Sequence, residues 1–214
     1  MATLLLRLAA PLQAWGSGSK FNIRNTEREP TKSGVIGLIA AAMGIQRNDD
    51  PQKLEPLRKL KFGVRVEREG KLLKDFHMVH EYKNGKLNDS HVTERYYLSD
   101  AVFVAALECD SKEYLEDIVK ALNEPVYPLF LGRRSCPPTL PIFLGISDDG
   151  LVPALKKSLD GKKCCGRIVY ESDSGGKVVQ DVPVSFSQLH REHGYRYQRE
   201  ETINSEQHDP MAEL

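Results

Sequence analysis

Two glycines near the start of an apolar helix constrain this chain more than any other feature. In Pro30-Thr-Lys-Ser-Gly-Val-Ile-Gly-Leu-Ile-Ala-Ala-Ala-Met-Gly44, the residues Val35, Ile36, Ile39, Ala42 and Met43 recur at helical spacing and make one apolar face. Thr31 or Ser33 can cap the helix, because a short side-chain oxygen accepts a bond from an N–H of the first turn. Pro30 disfavours helix at Glu29, and Gly44 stands where a C-terminal stop belongs. Gly34 and Gly37 each cost about 1 kcal/mol relative to alanine inside a helix, so something must come close to the backbone there. Close packing on a sheet is one such partner and also favours Ala41. The other is an anion, such as a phosphate, at the bare N–H groups of the first turn, with Lys32 adding charge. The stretch is not a nucleotide-triphosphate loop, which needs G-x-x-x-x-G-K-[ST] where this chain has Thr-Lys-Ser-Gly, and the sequence implies no cofactor.

The elements on either side follow from their patterns. Thr3–Ala10 reads as a strand, not a signal peptide, since Arg7 interrupts it and no basic segment precedes it. Pro11–Gly16 ends it, and Trp15 is either a core anchor or a platform for a stacked base. Residues 17–29 hold Lys20, Phe21, Arg24 and Arg28 against Glu27 and Glu29, a solvated loop or one suited to single-stranded nucleic acid. Leu60–Arg68 alternates, with Phe62, Val64 and Val66 on one face, and Lys71–Val79 can form a second strand. His80–Tyr97 is mostly polar and carries Asn84-Gly85, a strong hairpin-turn signal, so a projecting hairpin is expected.

Ala101–Glu108 is an apolar run of strand length. Ser111 can cap a helix over Lys112–Asn123, with Tyr114, Leu115, Ile118, Val119 and Leu122 on its apolar face and Pro125 after its end. One more strand near Tyr127–Leu131 would complete βαββαβ, the order of ferredoxin-like and RNA-recognition folds. The α+β core is thus expected over residues 1–146, with an inserted hairpin at about 76–98. Leu131–Pro141 follows, a proline-rich loop in which Gly132 permits a tight turn. Its adjacent Arg133 and Arg134 can fork onto phosphates or form surface salt bridges. Gly166–Glu171 and Lys177–Val184 read as strands of a small β extension over 147–214, and the last dozen residues as a frayed end.

Lys and Arg number 30, as do Asp and Glu, so the net charge is zero. A general nucleic-acid coat would be strongly basic, so any such role must rest on a local site or on membership of a larger complex. No run of eighteen apolar residues suggests a membrane span. Cys109, Cys136, Cys164 and Cys165 have neither zinc-site nor disulfide-scaffold spacing, which makes the cytoplasm the default compartment.

Three motifs together carry a resemblance. Leu6-Arg-Leu-Ala-Ala-Pro-Leu-Gln-Ala-Trp-Gly16, Pro30–Ile45 and Leu131-Gly-Arg-Arg-Ser-Cys-Pro137, in this order and spacing, resemble the CasD family of the type I-E CRISPR surveillance complex, Cascade. The resemblance runs from about Leu4 to Leu144. It implies a modified RNA-recognition fold with a glycine-rich loop, which caps one end of Cascade and holds the 5′ handle of the crRNA. It also implies a thumb hairpin beside the first displaced nucleotide, contacts with the CasC backbone subunit and the large CasA subunit, and target DNA bound by the assembled complex. No catalytic role is implied. Carried onto matching positions, the RNA-binding set is Gln13, Trp15, Arg24, Arg28, Thr31, Lys32, Ser33, Arg133, Arg134 and Ser135. The thumb tip is Lys83, Asn84, Gly85 and Lys86.

The rival reading is an enzyme. A related type I-C subunit cuts precursor RNA without metal, and this chain offers His77, His80, Tyr82, Lys83 and His91 as a general acid and base for attack by a 2′-hydroxyl. The three histidines can alternatively be read as metal ligands, but no orienting carboxylate or helical spacing favours that, and no metal site is expected. A third reading is a ferredoxin-like interaction module without RNA.

Overall fold

The computed structural model describes residues 1–16, 22–157, 166–187 and 189–203. In chain order the elements are β1 (Ala2–Ala9), β2 (Leu12–Gln13), β3 (Ile23–Arg24), α1 (Lys32–Ala42), a 3-10 turn (Pro51–Leu54) running into α2 (Glu55–Arg58), β4 (Lys61–Arg68), β5 (Lys71–Lys83), β6 (Lys86–Ser99) and β7 (Val102–Cys109). They continue with α3 (Lys112–Asn123), β8 (Phe143–Ser147), α4 (Leu151–Lys156), β9 (Gly166–Ser172), β10 (Lys177–Ser185) and β11 (Glu192–Ile203).

One sheet has the order β10-β11-β9-β4-β7-β1-β8, with every neighbouring pair antiparallel. β1 is apolar at nearly every position because both of its faces are covered. Leu4, Leu6 and Leu8 pack with Phe62, Val64, Val66, Phe103, Ala105 and Leu107 beneath Val35, Ile36 and Ile39 of α1 and Leu115 and Ile118 of α3. On the other face Leu5, Val104, Ala106 and Ile168 meet Leu151, Ala154 and Leu155 of α4. Each large side chain buried this way stabilises the fold by roughly 1.5–3 kcal/mol. Arg65 reaches the α4 side, where its guanidinium donates to the carbonyls of Leu155 and Lys157 at 2.6 and 2.7 Å. Those carbonyls lie at the open end of α4 and would otherwise lack donors.

The second sheet is the long β5–β6 hairpin with β2 and β3 alongside β6. Asn84 and Gly85 have φ of 50° and 74°, so both central turn residues are left-handed, as the tight turn between twisted strands requires. The strands extend from Lys71 to Ser99, so the stretch read as a separate strand at 71–79 is one arm of the hairpin.

Both long helices stand where their caps and periodicity place them. Thr31 caps α1, its Oγ1 accepting from Gly34 N–H at 3.2 Å, and Ser111 caps α3. The strand expected near Tyr127–Leu131 does not form. Pro125 and Pro128 interrupt that run, and Val126 and Tyr127 instead donate their N–H groups to the Ala42 and Ala41 carbonyls at the end of α1. The edge strand is β8, beyond the proline-rich loop, where Leu4 pairs with Ile146 and Thr3 with Ser147. A further strand, β11, comes from the polar, aromatic run at 192–203. No helix among the described residues is long and apolar enough to cross a membrane. Lys20, Phe21, Cys164, Cys165 and most of the final dozen residues lie outside the described residues.

Candidate nucleic-acid interface

The mouth of α1 is filled by the chain's own side chains. Lys32 N–H donates to Asp181 Oδ2 at 2.8 Å, so a carboxylate from β10 occupies the anion position at the helix N-terminus. Asp181 also takes a two-pronged contact from Arg196 of β11, with Nε to Oδ1 at 2.6 Å and Nη2 to Oδ2 at 2.9 Å. The Lys32 ammonium meets Glu171 Oε2 at 2.8 Å. Burial pulls the Lys32 pKa below the ordinary lysine value, while Glu171 pushes it the other way. The space at Gly34 belongs to Trp15, since a Cβ there would lie 2.8 Å from Trp15 Cε3. Thr31, Lys32 and Ser33 are all buried. These three were expected to face a phosphate. Close packing and an internal carboxylate account for them instead.

Gln13 and Trp15 are likewise interior. Gln13 Nε2 donates to the Leu8 and Ala101 carbonyls at 3.2 and 2.8 Å, and Gln13 Oε1 accepts from Trp15 Nε1 at 3.1 Å. With Trp15 only 1% exposed, its ring presents no face for a base to stack on.

The glycine-rich loop is anchored from below. Gly132 has φ +86°, and a Cβ on it would fall 1.6 Å from the Ala14 carbonyl oxygen. Only glycine lets the loop lie this close to the segment after β1. Arg133 spans the gap to the second sheet: it donates to the carbonyls of Tyr96, Arg24 and Asn25 at 3.1, 2.7 and 3.3 Å, and its guanidinium lies 4.7 Å from the centre of the Tyr97 ring. Arg133 therefore holds the loop. Its neighbours Arg134 and Ser135 are exposed, and Arg134 has no side-chain partner among the described residues. Arg24 is exposed on β3 beside this loop. Arg28 is exposed too, but it stands in a cluster of mixed charge, where Glu29 and Glu69 converge on Arg167 at 3.1 and 3.2 Å.

The hairpin presents two different faces. Leu72, Lys74, Phe76, Met78, His80 and Tyr82 share one with their cross-strand partners Leu98, Tyr96, Glu94, Val92, Ser90 and Leu87. Phe76, Met78, Tyr82, Leu87 and Val92 on it are each more than half exposed, so the hairpin is far less polar than its composition suggests. His77 is on the opposite face, its Nε2 3.0 Å from Asp75 Oδ2. His80 is 2.8 Å from Ser90 Oγ and sits edge-on to Tyr82. The candidate acid–base set is thus split across the sheet, with Lys83 at the turn.

A model of the family described as CRISPR-associated protein (Cas_Cas5) matches residues 3–199. This chain belongs to that family. The CRISPR system Cascade subunit CasD of Escherichia coli (strain K12) is 40% identical over 157 residues, covering 66% of this chain and 70% of that protein. A solved structure described as the crystal structure of a Cas protein matches with TM-score 0.74 and 37% identity, over 95% of this chain and 96% of that one. A chain of a CRISPR RNA-guided surveillance complex matches with TM-score 0.76 and 32% identity, over 94% and 90%. Within this family member, the pairing of Asp181 with α1 was missed because nothing in a sequence links positions 149 residues apart.

Proposed function

We propose that this chain is a non-catalytic subunit of a type I-E Cascade, which binds and caps the 5′ handle of crRNA and helps assemble the complex for antiviral DNA targeting. The observation that carries this is the likeness, over nearly the whole chain, to a chain of an RNA-guided surveillance complex. The central strands in order β4-β7-β1-β8, with α1 and α3 on one face, support reading the core as ferredoxin-like, of the RNA-recognition type. The β5–β6 hairpin is read as the thumb, its tip formed by Lys83, Asn84, Gly85 and Lys86. CasC, CasA and target DNA in the assembled complex are the proposed partners besides crRNA.

The RNA surface is narrower than the motifs alone suggest. Arg24, Arg134 and Ser135 are exposed around the anchored loop, with Arg28 at a margin of mixed charge. Gln13, Trp15, Thr31, Lys32, Ser33 and Arg133 support this surface from within. The test is to mix the full chain with labelled repeat RNA and score retention and cleavage together. Retention without cleavage is expected. Specific metal-independent cleavage, lost in His77→Ala or His80→Ala, would install the ribonuclease reading instead.

A further inference from the structure

Arg24 and Arg95 stand opposite each other in the parallel pairing of β3 with β6. Neighbouring strands lie about 4.8 Å apart, so the two side chains leave the backbone side by side. Like charges placed this way repel. The nearby carboxylates make no ion pair or hydrogen bond with them. Asp75 is the register partner of Arg95 on β5, but its oxygens accept from Phe76 N–H at 2.8 Å and contact His77 Nε2 at 3.0 Å. Glu94 turns to the other face and pairs with Lys74 at 2.7 Å.

A third guanidinium adds to the charge. Arg133 covers Tyr97, two residues along β6 from Arg95, and takes up the Arg24 carbonyl. Among the described residues neither the Arg24 nor the Arg95 side chain has a hydrogen-bond or ion-pair partner, and Arg95 Nε is buried without an acceptor. A buried donor left unsatisfied is costly, and so is an unpaired like-charge pair. One anion with several acceptor oxygens at this position would relieve both.

We infer that Arg24 and Arg95 together grip a single backbone phosphate of the bound RNA, at the base of the hairpin on the face that also carries Tyr97. Arg95 is the new member of the site, and its role rests on the RNA reading above. A guanidinium pair suits one phosphate, because planar donor forks match its oxygens. The strand would pass between the anchored glycine-rich loop and the thumb, with Arg134 on the loop side.

The test uses the full chain, labelled repeat RNA and the variants Arg24→Gln, Arg95→Gln and the double. Each single change is expected to weaken binding about tenfold at low salt, the scale of a lost charge-assisted contact. The slope of log affinity against log salt should become shallower by about 0.7 in the double variant, which releases the one phosphate, and by less in either single, where the other arginine still meets it. Without RNA, Arg95→Gln should melt close to the unaltered chain at low salt, since the Arg95 side chain makes no hydrogen bond or ion pair among the described residues and its repulsion from Arg24 offsets its attraction to Asp75. If the unaltered chain binds RNA while Arg95→Gln keeps its affinity and slope, this inference alone is overturned. An Arg95→Gln variant that melts clearly lower would make the residue structural and equally overturn it. If the unaltered chain binds no RNA, the reading under Proposed function falls and takes this one with it.

Discussion

Asp181 accepts the backbone N–H of Lys32 at 2.8 Å across 149 residues of sequence, and so β10 closes the N-terminus of α1. The same carboxylate is held by Arg196, and both side chains are about 95% buried. Removing one partner of a buried pair leaves an uncompensated charge and costs roughly 3–5 kcal/mol. Asp181→Ala should therefore lower the denaturant midpoint strongly. Exposed Asp148, paired with exposed Lys112, serves as the control, and its alanine variant should leave the midpoint close to that of the unaltered chain.

His193 on β11 gives the fold a pH dependence. Burial lowers its pKa from the ordinary histidine value of 6.5, the Arg191 charge lowers it further, and Asp181 acts in the opposite direction. Between the depressed folded value and 6.5 the unfolded chain binds more protons, so stability rises with pH across that window. The contribution is complete above 6.5 and is lost as pH falls through the folded value. Urea midpoints measured from acid to neutral pH should show this slope, and His193→Gln should flatten it.

The parts of the fold legible in the sequence are those governed by local physics. Thr31 and Ser111 cap helices because capping needs only neighbours in sequence, and Asn84-Gly85 makes its turn for the same reason. The strand near Tyr127 failed because prolines and a helix end compete for its backbone groups. The polar mouth of α1 was the hardest feature to read. Thr, Lys, Ser and Gly at a helix start are what a phosphate site needs, but they also suit a site closed by Asp181, Glu171 and Trp15. Choosing between these requires long-range contacts that no local pattern contains. Arg133 and Arg134 show the same limit, since the loop's path turns one of two adjacent arginines inward and leaves the other exposed.

Two glycines separate close approach from tolerance. Gly132→Ala would put a Cβ 1.6 Å from the Ala14 oxygen at φ +86°, so a loss of roughly 3 kcal/mol or more is expected. Gly37→Ala would meet Phe186 at an ordinary 3.5 Å. There the helix should gain up to about 1 kcal/mol. Thermal melts of the two variants should move in opposite directions.

Arg133 and Arg134 should separate by assay. Arg133→Ala removes three bonds to backbone carbonyls and the contact over Tyr97, and should cost roughly 2–3 kcal/mol of stability. Arg134→Ala should leave the melt unchanged and weaken RNA retention, with a salt slope shallower by about 0.7. Equal melts for the two variants would show that Arg133 does not anchor the loop.

The hairpin supplies the last prediction. Phe76, Met78, Tyr82, Leu87 and Val92 form an apolar stripe along one of its faces, each more than half exposed. An exposed stripe of this kind contributes little to the stability of the free chain, because folding removes little of it from water. It does mark a surface that gains from being covered. Replacing Phe76, Met78 and Tyr82 by threonine keeps strand propensity, so the melting temperature should stay close to that of the unaltered chain. Co-expressed with the remaining Cascade subunits and crRNA, this variant should enter the complex less well or yield complexes that engage target DNA poorly. Excising Glu81–Asp89 and closing the strands with a new Asn-Gly turn should give the same pair of outcomes. A large fall in the melting temperature of either variant would show that the hairpin supports the fold of the free chain. Normal assembly and DNA engagement by both would remove the thumb role.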